Sequence, residues 1–232
     1  MMNNDRTVTS DWRYHDRQMK RTLVYLPGWA TDARLLPVAQ LNWNIITPER
    51  PLSGPESLHS LSTFLDTYAP VTILGWSLGS LLAVEFACQY PQLIERLYLA
   101  SLRPRYPREQ VAALRDSLAR QPERALRQFY RQCFYPAQMT DYAHFRQHLE
   151  PDYLANFSQV RLLAGLDYLA SVDLPVTTLA CPTICVHGEA DVVAPIAEAR
   201  AWADAAGVPM RVLADAAHAI VLRDEFWGLF DG

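Results

Sequence analysis

The segment from Val71 to Gln89 constrains the fold more than any other part of the sequence. An apolar run of strand length leads into Gly75-Trp76-Ser77-Leu78-Gly79, which has the pattern G-x-S-x-G, and an apolar segment follows. This combination predicts a buried strand, a sharp turn with Ser77 at its apex, and a helix that is apolar nearly all round. Side chains at the two glycine positions would collide with the adjoining strand or helix, so we expect a strained backbone at Ser77. Alone, the pattern also fits a glycine-rich turn with no chemical role.

Short apolar runs on both sides of this segment predict further strands. Uninterrupted apolar strands that alternate with helices are typical of a parallel sheet covered on both faces. Helices are predicted at 58–65, 78–89 and 196–206, the last with Gly207 just past its end. Residues 1–20 are polar, and we expect them to be poorly ordered or attached to a sheet edge. The predicted strands are 22–26, 44–47, 71–74, 96–100, 182–188 and 210–213.

A helical segment interrupts this alternation. From about residue 105 to 170 no strand pattern occurs, and apolar residues recur at helical spacing in four stretches that begin near Pro107, Pro122, Tyr142 and Asp152. We therefore predict an α/β core formed by residues 1–102 and 172–232, with residues 103–171 inserted as an all-helical lid.

Composition limits the kind of protein. Half of the 232 residues are hydrophobic, enough for one sizeable core, and the net charge of −4 gives no nucleic-acid signature. Without an apolar run of spanning length or a leader pattern, we expect a cytoplasmic monomer with no membrane attachment. The four cysteines show no disulfide spacing, and Cys181 and Cys185 lack the second Cys/His pair of a zinc site. We expect reduced thiols, no metal and no cofactor.

Three residues that could perform nucleophilic catalysis each follow a predicted strand. They occur in the order Ser77, Asp191, His218, which is the order of an α/β-hydrolase catalytic triad. A serine hydroxyl is a weak nucleophile, so His218 would take its proton and Asp191 would orient the imidazole. The backbone amides of Leu78 and Trp29 would stabilise the oxyanion, a contribution of about 3 kcal/mol or more per donor.

Each of these residues also has an ordinary structural interpretation. A lone histidine in an alanine-rich loop is usually only hydrogen-bonded there, and an aspartate after a strand is often a turn former. Glu189 and Asp215 are rival acids, although Asp215 lies too close in sequence to reach His218 easily. His187 falls within a predicted strand and is expected to be a buried structural histidine.

The sequence resembles the α/β-hydrolase superfamily over nearly its whole length. Within it, the sequence is most similar to the carboxylesterases that hydrolyse the methyl ester of pimeloyl-[acyl-carrier protein] in biotin synthesis. The resemblance lies in Leu26-Pro27-Gly28-Trp29, the elbow around Ser77, Gly165-Leu166-Asp167-Tyr168-Leu169 with Val172-Asp173-Leu174, and Ala216-Ala217-His218-Ala219. The family usually has histidine where Pro27 stands. The resemblance implies an α/β-hydrolase fold, a Ser77-His218-Asp191 esterase, and substrate contacts at Trp29, Leu78 and Phe129.

The lid has an unusual charge. Residues 103–161 contain ten arginines, no lysine and six acids, a net charge of +4, whereas the rest of the chain carries −8. Arg124, Arg127 and Arg131 share one face of a predicted helix. A solvated helix face explains most such patterns, but a basic lid on an acidic body is also suited to docking an acidic partner. An acyl carrier protein, which the resemblance implies, is such a partner.

Two other functions fit the same sequence. A lidded hydrolase of small free esters, thioesters or carbon–carbon bonds would use the same three residues. A non-catalytic ligand-binding protein of this fold would not need Ser77, Asp191 and His218 together.

Overall fold

A seven-stranded sheet runs through the centre of the computed structural model, which describes residues 11–230. The strand order is β1-β3-β2-β4-β5-β6-β7; β1 is antiparallel to β3 and all other neighbours are parallel. The predicted α/β-hydrolase fold with a mostly parallel sheet is confirmed. The strands are β1 (Trp12–His15), β2 (Thr22–Leu26), β3 (Asn44–Pro48), β4 (Val71–Trp76), β5 (Ile94–Ala100), β6 (Thr183–Gly188) and β7 (Met210–Leu213).

The most apolar strands lie at the middle of the sheet. All six residues of β4 are buried, as are four of the five in β2, because helices cover both faces there. The N-terminal segment joins the sheet only at its edge, where β1 pairs with β3. This agrees with the edge attachment expected for residues 1–20, of which 1–10 lie outside the described residues.

Nine α-helices occur within the described residues. Helix α2 matches its predicted limits, and α8 ends at Gly207, whose φ of 68° is the left-handed conformation typical of a helix C-cap. The helices are α1 (Leu61–Leu65), α2 (Leu78–Gln89), α3 (Arg108–Arg120), α4 (Pro122–Phe134), α5 (Met139–His148), α6 (Glu150–Asn156), α7 (Gln159–Ser171), α8 (Ile196–Ala206) and α9 (Asp224–Trp227).

Two helices differ from their predictions. Instead of one helix over 58–65, a 3-10 turn (Pro55–Leu58) precedes α1. Ser53 Oγ donates to Glu56 Oε1 at 2.9 Å at the start of this turn. The single helix predicted from Asp152 to Leu169 is divided into α6 and α7. It breaks at Phe157, whose backbone is extended and whose ring stacks on Tyr153 with centroids 5.0 Å apart.

Helices α3 to α7 lie between β5 and β6 and are called the lid below. The chain enters and leaves the lid as an antiparallel pair: Arg105 and Asp173 form a β-bridge, and the amide of Leu174 donates to the carbonyl of Pro104 at 2.9 Å. The side chains of Arg105 and Asp173 also form an exposed ion pair, with Nη1 3.4 Å from Oδ2. The two chain connections between lid and core therefore run side by side.

The described residues contain neither a disulfide bond nor a helix suited to span a membrane. All four cysteines are free thiols, with Cys88 exposed and the others buried. Within residues 11–230, no helix combines the length and the apolar character needed to cross a membrane.

Candidate active site

The turn at Ser77 has the strained geometry that the sequence pattern predicts. Ser77 has φ 56° and ψ −117°, directly between β4 and α2. A Cβ on Gly75 would lie 2.4 Å from the carbonyl oxygen of Gly79, and one on Gly79 would lie 1.9 Å from that of Leu26. Such a backbone costs about 1–3 kcal/mol and persists only where its surroundings fix it. Here Ser80 Oγ donates to the carbonyls of Gly75 and Ala100, at 2.7 and 2.8 Å.

Ser77, His218 and Asp191 are brought together at the carboxyl edge of the sheet. His218 Nε2 lies 2.8 Å from Ser77 Oγ, and its Nδ1 lies 2.8 Å from Asp191 Oδ2. All three residues are buried. An aspartate at Nδ1 fixes that nitrogen as the N–H donor, so Nε2 accepts from the serine hydroxyl. Both ring nitrogens are thereby occupied, and neither Glu189 nor Asp215 takes the place of Asp191.

Asp191 is kept ionised by its neighbours. Burial by itself would raise its pKa, but the attraction and hydrogen bond of His218, the nearby His187 and the amide of Ala194 lower the pKa below its ordinary value. Its Oδ1 accepts from the amides of Val193 and Ala194 at 2.9 and 2.8 Å. An ionised carboxylate is the form that can stabilise a protonated imidazole.

His187 is buried, as expected from its place in a strand, and it lies beside the site. Its Nε2 is 2.7 Å from the carbonyl of Ala194 and 3.4 Å from Asp191 Oδ2. Burial lowers the pKa of His187, so the ring is neutral at neutral pH and Nε2 donates to that carbonyl. The second histidine therefore supports the loop that presents Asp191.

The loop that carries His218 is fixed by residues that sequence reasoning missed. Trp76 Nε1 and Ser101 Oγ donate to the carbonyl of His218 at 2.8 and 2.9 Å. Gln138, between α4 and α5 and only 2% exposed, accepts from the amide of Ala217 at 2.9 Å and donates to the carbonyl of Ala219 at 3.1 Å. Nothing in the local sequence marks Gln138, because its partners are about 80 residues away.

Trp29 and Leu78 occupy the positions that the sequence analysis assigned to oxyanion donors. Leu78 is the first residue of α2, where backbone amides have no partner within the helix. Trp29 lies in loop 27–31, directly after β2, and its ring meets that of Phe129 edge-on with centroids 4.7 Å apart. Neither amide has a hydrogen-bond acceptor within the described residues. Both amides therefore have an unused capacity to donate a hydrogen bond.

A cavity of about 520 Å³ opens beside Ser77, between the core and the lid. Its walls are mostly apolar, and they include the predicted substrate contacts Trp29 and Phe129. The polar side chains Gln110, Gln128 and Gln132 are exposed at the mouth, between α3 and α4. The rest of the wall includes Arg103, Tyr106, Val111, Leu114, Ser117, Leu166, Leu169 and Val193.

Arg103 and Tyr106 form a charged and a polar part of the wall, and neither was singled out from the sequence. Arg103 pairs with Glu198 through two hydrogen bonds of 2.9 Å and stacks over the Tyr106 ring at 5.1 Å. The Tyr106 side chain lines the same cavity as Ser77. Burial raises the pKa of Tyr106 to about 12, so its hydroxyl stays protonated and can donate.

The three predicted docking arginines do not share one environment. Arg127 hydrogen-bonds Glu150, a carboxylate that is 1% exposed, and thereby neutralises a buried charge. Arg124 and Arg131 are exposed and have no carboxylate partner within the described residues. They lie one helical turn before and after Gln128, which lines the cavity, although neither arginine lines it.

Metal binding has no support from the described side chains. No group of three or more His, Cys, Asp or Glu residues in 11–230 is arranged to hold an ion.

Comparison with known proteins identifies one family and many similar folds. The model of the alpha/beta hydrolase family matches residues 23–227. Among solved structures, MenH from S. aureus has a TM-score of 0.80 at 18% identity, over 97% of each chain. The enol-lactonase from Burkholderia xenovorans LB400 has a TM-score of 0.78 at 20% identity, over 94% of this chain and 93% of its own. The esterase EaEST from Exiguobacterium antarcticum has a TM-score of 0.78 at 17% identity, over 95% and 92%. No curated protein matches the sequence.

Proposed function

Because the chain belongs to the alpha/beta hydrolase family, we propose that it is a serine carboxylesterase. The observation that carries this proposal is the continuous hydrogen-bond chain from Asp191 through His218 to Ser77, which ends at a cavity with two unoccupied backbone amides. That arrangement can deprotonate a nucleophile, stabilise an oxyanion and admit an acyl substrate.

The reaction proceeds in two stages. Ser77 Oγ attacks the ester carbonyl while its proton passes to His218 Nε2, and the amides of Trp29 and Leu78 bind the oxyanion. Collapse breaks the bond to the alkoxy group, which leaves as an alcohol with the proton from His218. Water then attacks the acyl-enzyme with His218 again as base. The bond between the acyl group and Ser77 Oγ breaks, His218 returns the proton to Ser77, and the acid product is released.

The substrate that we propose is the methyl ester of a pimeloyl chain carried by an acyl carrier protein. Arg103 is the cation in the cavity wall, and its charge is already compensated by Glu198. The cavity therefore suits an uncharged, largely apolar chain, and a methyl ester is the uncharged form of a terminal carboxylate. Hydrolysis releases methanol and creates a carboxylate that has no free cation in the wall to retain it, which favours product release.

The carrier protein would dock at the mouth of the cavity. Arg124 and Arg131 are unpaired cations beside Gln128, at the opening from which a tethered acyl chain would enter. Acidic carriers are steered to such positive surfaces, and the effect acts mainly on association. Arg127 is excluded from this role because it neutralises Glu150.

The first test compares two esters with the same protein. We expect much higher kcat/KM for pimeloyl-carrier-protein methyl ester than for a short p-nitrophenyl ester, and loss of both activities in Ser77→Ala. Turnover of the small ester alone would retain the esterase and reject the carrier-linked substrate. A protein that hydrolyses neither ester and resists a fluorophosphonate probe at Ser77 would be a binding protein instead.

Docking is tested by charge reversal at the cavity mouth. Arg124→Glu combined with Arg131→Glu should lower kcat/KM about tenfold or more for the carrier-linked ester and less than about twofold for the small ester. Arg146→Glu combined with Arg211→Glu makes the same charge change at exposed residues that lie on α5 and β7 rather than beside Gln128. Equal losses in the two double variants would reject a specific docking surface.

A further inference from the structure

A lid hydroxyl contacts the loop that supplies one of the oxyanion donors. The Tyr130 hydroxyl, on α4, donates to the carbonyl of Ala30 at 2.8 Å. Ala30 directly follows Trp29, whose amide is one of the two proposed donors. The contact therefore joins the lid to the peptide next to the reacting centre, across 100 positions of sequence.

Loop 27–31 contains a turn that its own sequence does not favour. The amide of Thr31 donates to the carbonyl of Gly28 at 3.3 Å, which closes a four-residue turn with Trp29 and Ala30 at its centre. Ala30 has φ 57°, a value that glycine adopts freely and that a side chain makes unfavourable. The Thr31 hydroxyl also donates to the carbonyl of Gly28 at 2.9 Å, but this contact lies at the ends of the turn. Tyr130 provides a contact at the strained residue itself.

Tyr130 is well suited to give a fixed hydrogen bond. Its side chain is 1% exposed and packs against the rings of Phe145 and Tyr153, with centroids 5.1 and 5.9 Å away. Burial raises the pKa of Tyr130, so the hydroxyl remains a donor throughout the accessible pH range. A donor that can neither ionise nor change position holds its acceptor in one place.

We propose that Tyr130 is a positioning residue that stabilises the left-handed conformation of Ala30 and so aims the Trp29 amide at the oxyanion. The inference rests on the proposed esterase function and adds a residue to it. With this role for Tyr130, the geometry of the oxyanion hole depends on how α4 packs against loop 27–31. The lid then contributes to the chemical step in addition to covering the cavity.

The test uses Tyr130→Phe, which removes the hydroxyl and retains the ring. We expect kcat on a p-nitrophenyl ester to fall about tenfold with KM changed less than twofold, because the lost contact acts on the transition state. Affinity for a trifluoromethyl ketone, which forms a tetrahedral oxyanion on Ser77, should fall by a similar factor. Fluorophosphonate labelling of Ser77 should persist at a reduced rate.

The decisive variant is the combination with Ala30→Gly. Glycine adopts positive φ without the penalty of a side chain, so it should restore kcat and ketone affinity to within about threefold of wild type. A purely structural role of Tyr130 in lid packing would not be rescued by a change in loop 27–31. Tyr168→Phe is the matched control, since its hydroxyl also joins lid to core, at Glu85, away from this loop.

Several outcomes would overturn the inference. Unchanged kcat and ketone affinity in Tyr130→Phe, no rescue by Ala30→Gly, or an equal loss in Tyr168→Phe would each do so. If Tyr130→Phe fails to fold, Ala30→Val disturbs the same turn from the loop side, and unchanged ketone affinity there would reject it. Wild-type protein that resists fluorophosphonate and hydrolyses no ester would refute the esterase proposal itself, and this inference with it.

Discussion

Gly165, within α7, gives the sharpest test of how the lid positions Trp29. A Cβ at this position would lie 2.7 Å from Cδ1 of the Trp29 ring and 3.1 Å from its Nε1. Ordinary van der Waals contact begins at 3.4 Å, so Gly165→Ala must displace the ring by about 0.7 Å. The ring is 3% exposed and its Nε1 donates to the carbonyl of Leu162 at 2.9 Å, so this shift strains a buried hydrogen bond.

The expected effect on stability is small because two contributions oppose each other. Alanine is favoured over glycine in a helix interior by about 1 kcal/mol. Overpacking a filled site costs about 1–3 kcal/mol. The free energy of unfolding should therefore fall by no more than about 2 kcal/mol, and the variant should unfold cooperatively in urea.

The expected effect on catalysis is larger. Complete loss of one oxyanion donor costs about 100- to 1,000-fold in kcat. A displaced ring moves the Trp29 amide only in part, so we expect Gly165→Ala to lower kcat at least about tenfold on a p-nitrophenyl ester. Gly228→Ala is the control, because a Cβ there meets nothing within 4 Å. Wild-type kcat in a Gly165→Ala protein that has lost stability as calculated would refute the reasoning.

Three further predictions concern residues around the site. Gln138→Leu leaves the amide of Ala217 buried without a partner, so urea unfolding should show that the free energy of unfolding falls by about 1–3 kcal/mol. Steady-state kinetics should show a lower kcat, and an unchanged kcat would show that the His218 loop needs no support from Gln138. Tyr106→Phe removes a protonated hydroxyl from the cavity that Ser77 lines, and steady-state kinetics should show a larger loss for methyl than for p-nitrophenyl esters. A leaving methoxide, which takes its proton from His218, needs more hydrogen-bond stabilisation than a nitrophenolate, so equal losses would contradict that role. Burial lowers the pKa of His187, so the unfolded state binds the proton more readily than the folded state. The free energy of unfolding should therefore decline as pH falls below about 6.5, by at most about 1.4 kcal/mol per pH unit. Urea unfolding from pH 8 to 5 should show a weaker decline in His187→Asn than in wild type, and an equal decline would contradict the assignment.

Local patterns predicted the parts of this fold that depend on neighbouring residues. The helix after Ser77, the helix that ends at Gly207 and the strand β7 have the predicted limits, whereas β4 extends two residues into the predicted turn, to Trp76. In each case, apolar periodicity and glycine chemistry act within a few residues, so the sequence contains the information directly. The order of Ser77, Asp191 and His218 predicted that the sheet edge would gather them, and the structure places them within hydrogen-bonding distance.

Features that depend on distant packing could not be predicted in the same way. Helical spacing does not show that α6 and α7 separate at Phe157, because the cause is its stacking on Tyr153. The partner of Arg127 is Glu150, two helices further along, so a helical wheel of α4 groups Arg127 with Arg124 and Arg131 although its charge is already used. Tyr130 and Gln138 are equally inconspicuous, since an aromatic residue on an amphipathic helix is usually only part of a core, and a glutamine between two helices is usually only part of the surface.

These contacts limit how substrate can reach Ser77. Helix α4 and the turn after it contact both loops of the site, through Tyr130 at Ala30, and through Cys133 and Gln138 at Ala219. Lifting the lid as a unit would break all three hydrogen bonds and disturb the oxyanion donor and the histidine together. Entry through the mouth of the cavity, between α3 and α4, leaves these three hydrogen bonds intact. Gln110 and Gln128 lie at this mouth, and Arg124 lies one helical turn from Gln128. Entry through this mouth keeps the catalytic geometry intact during binding, so the charge around the mouth, rather than lid opening, should set the rate of association with a tethered substrate.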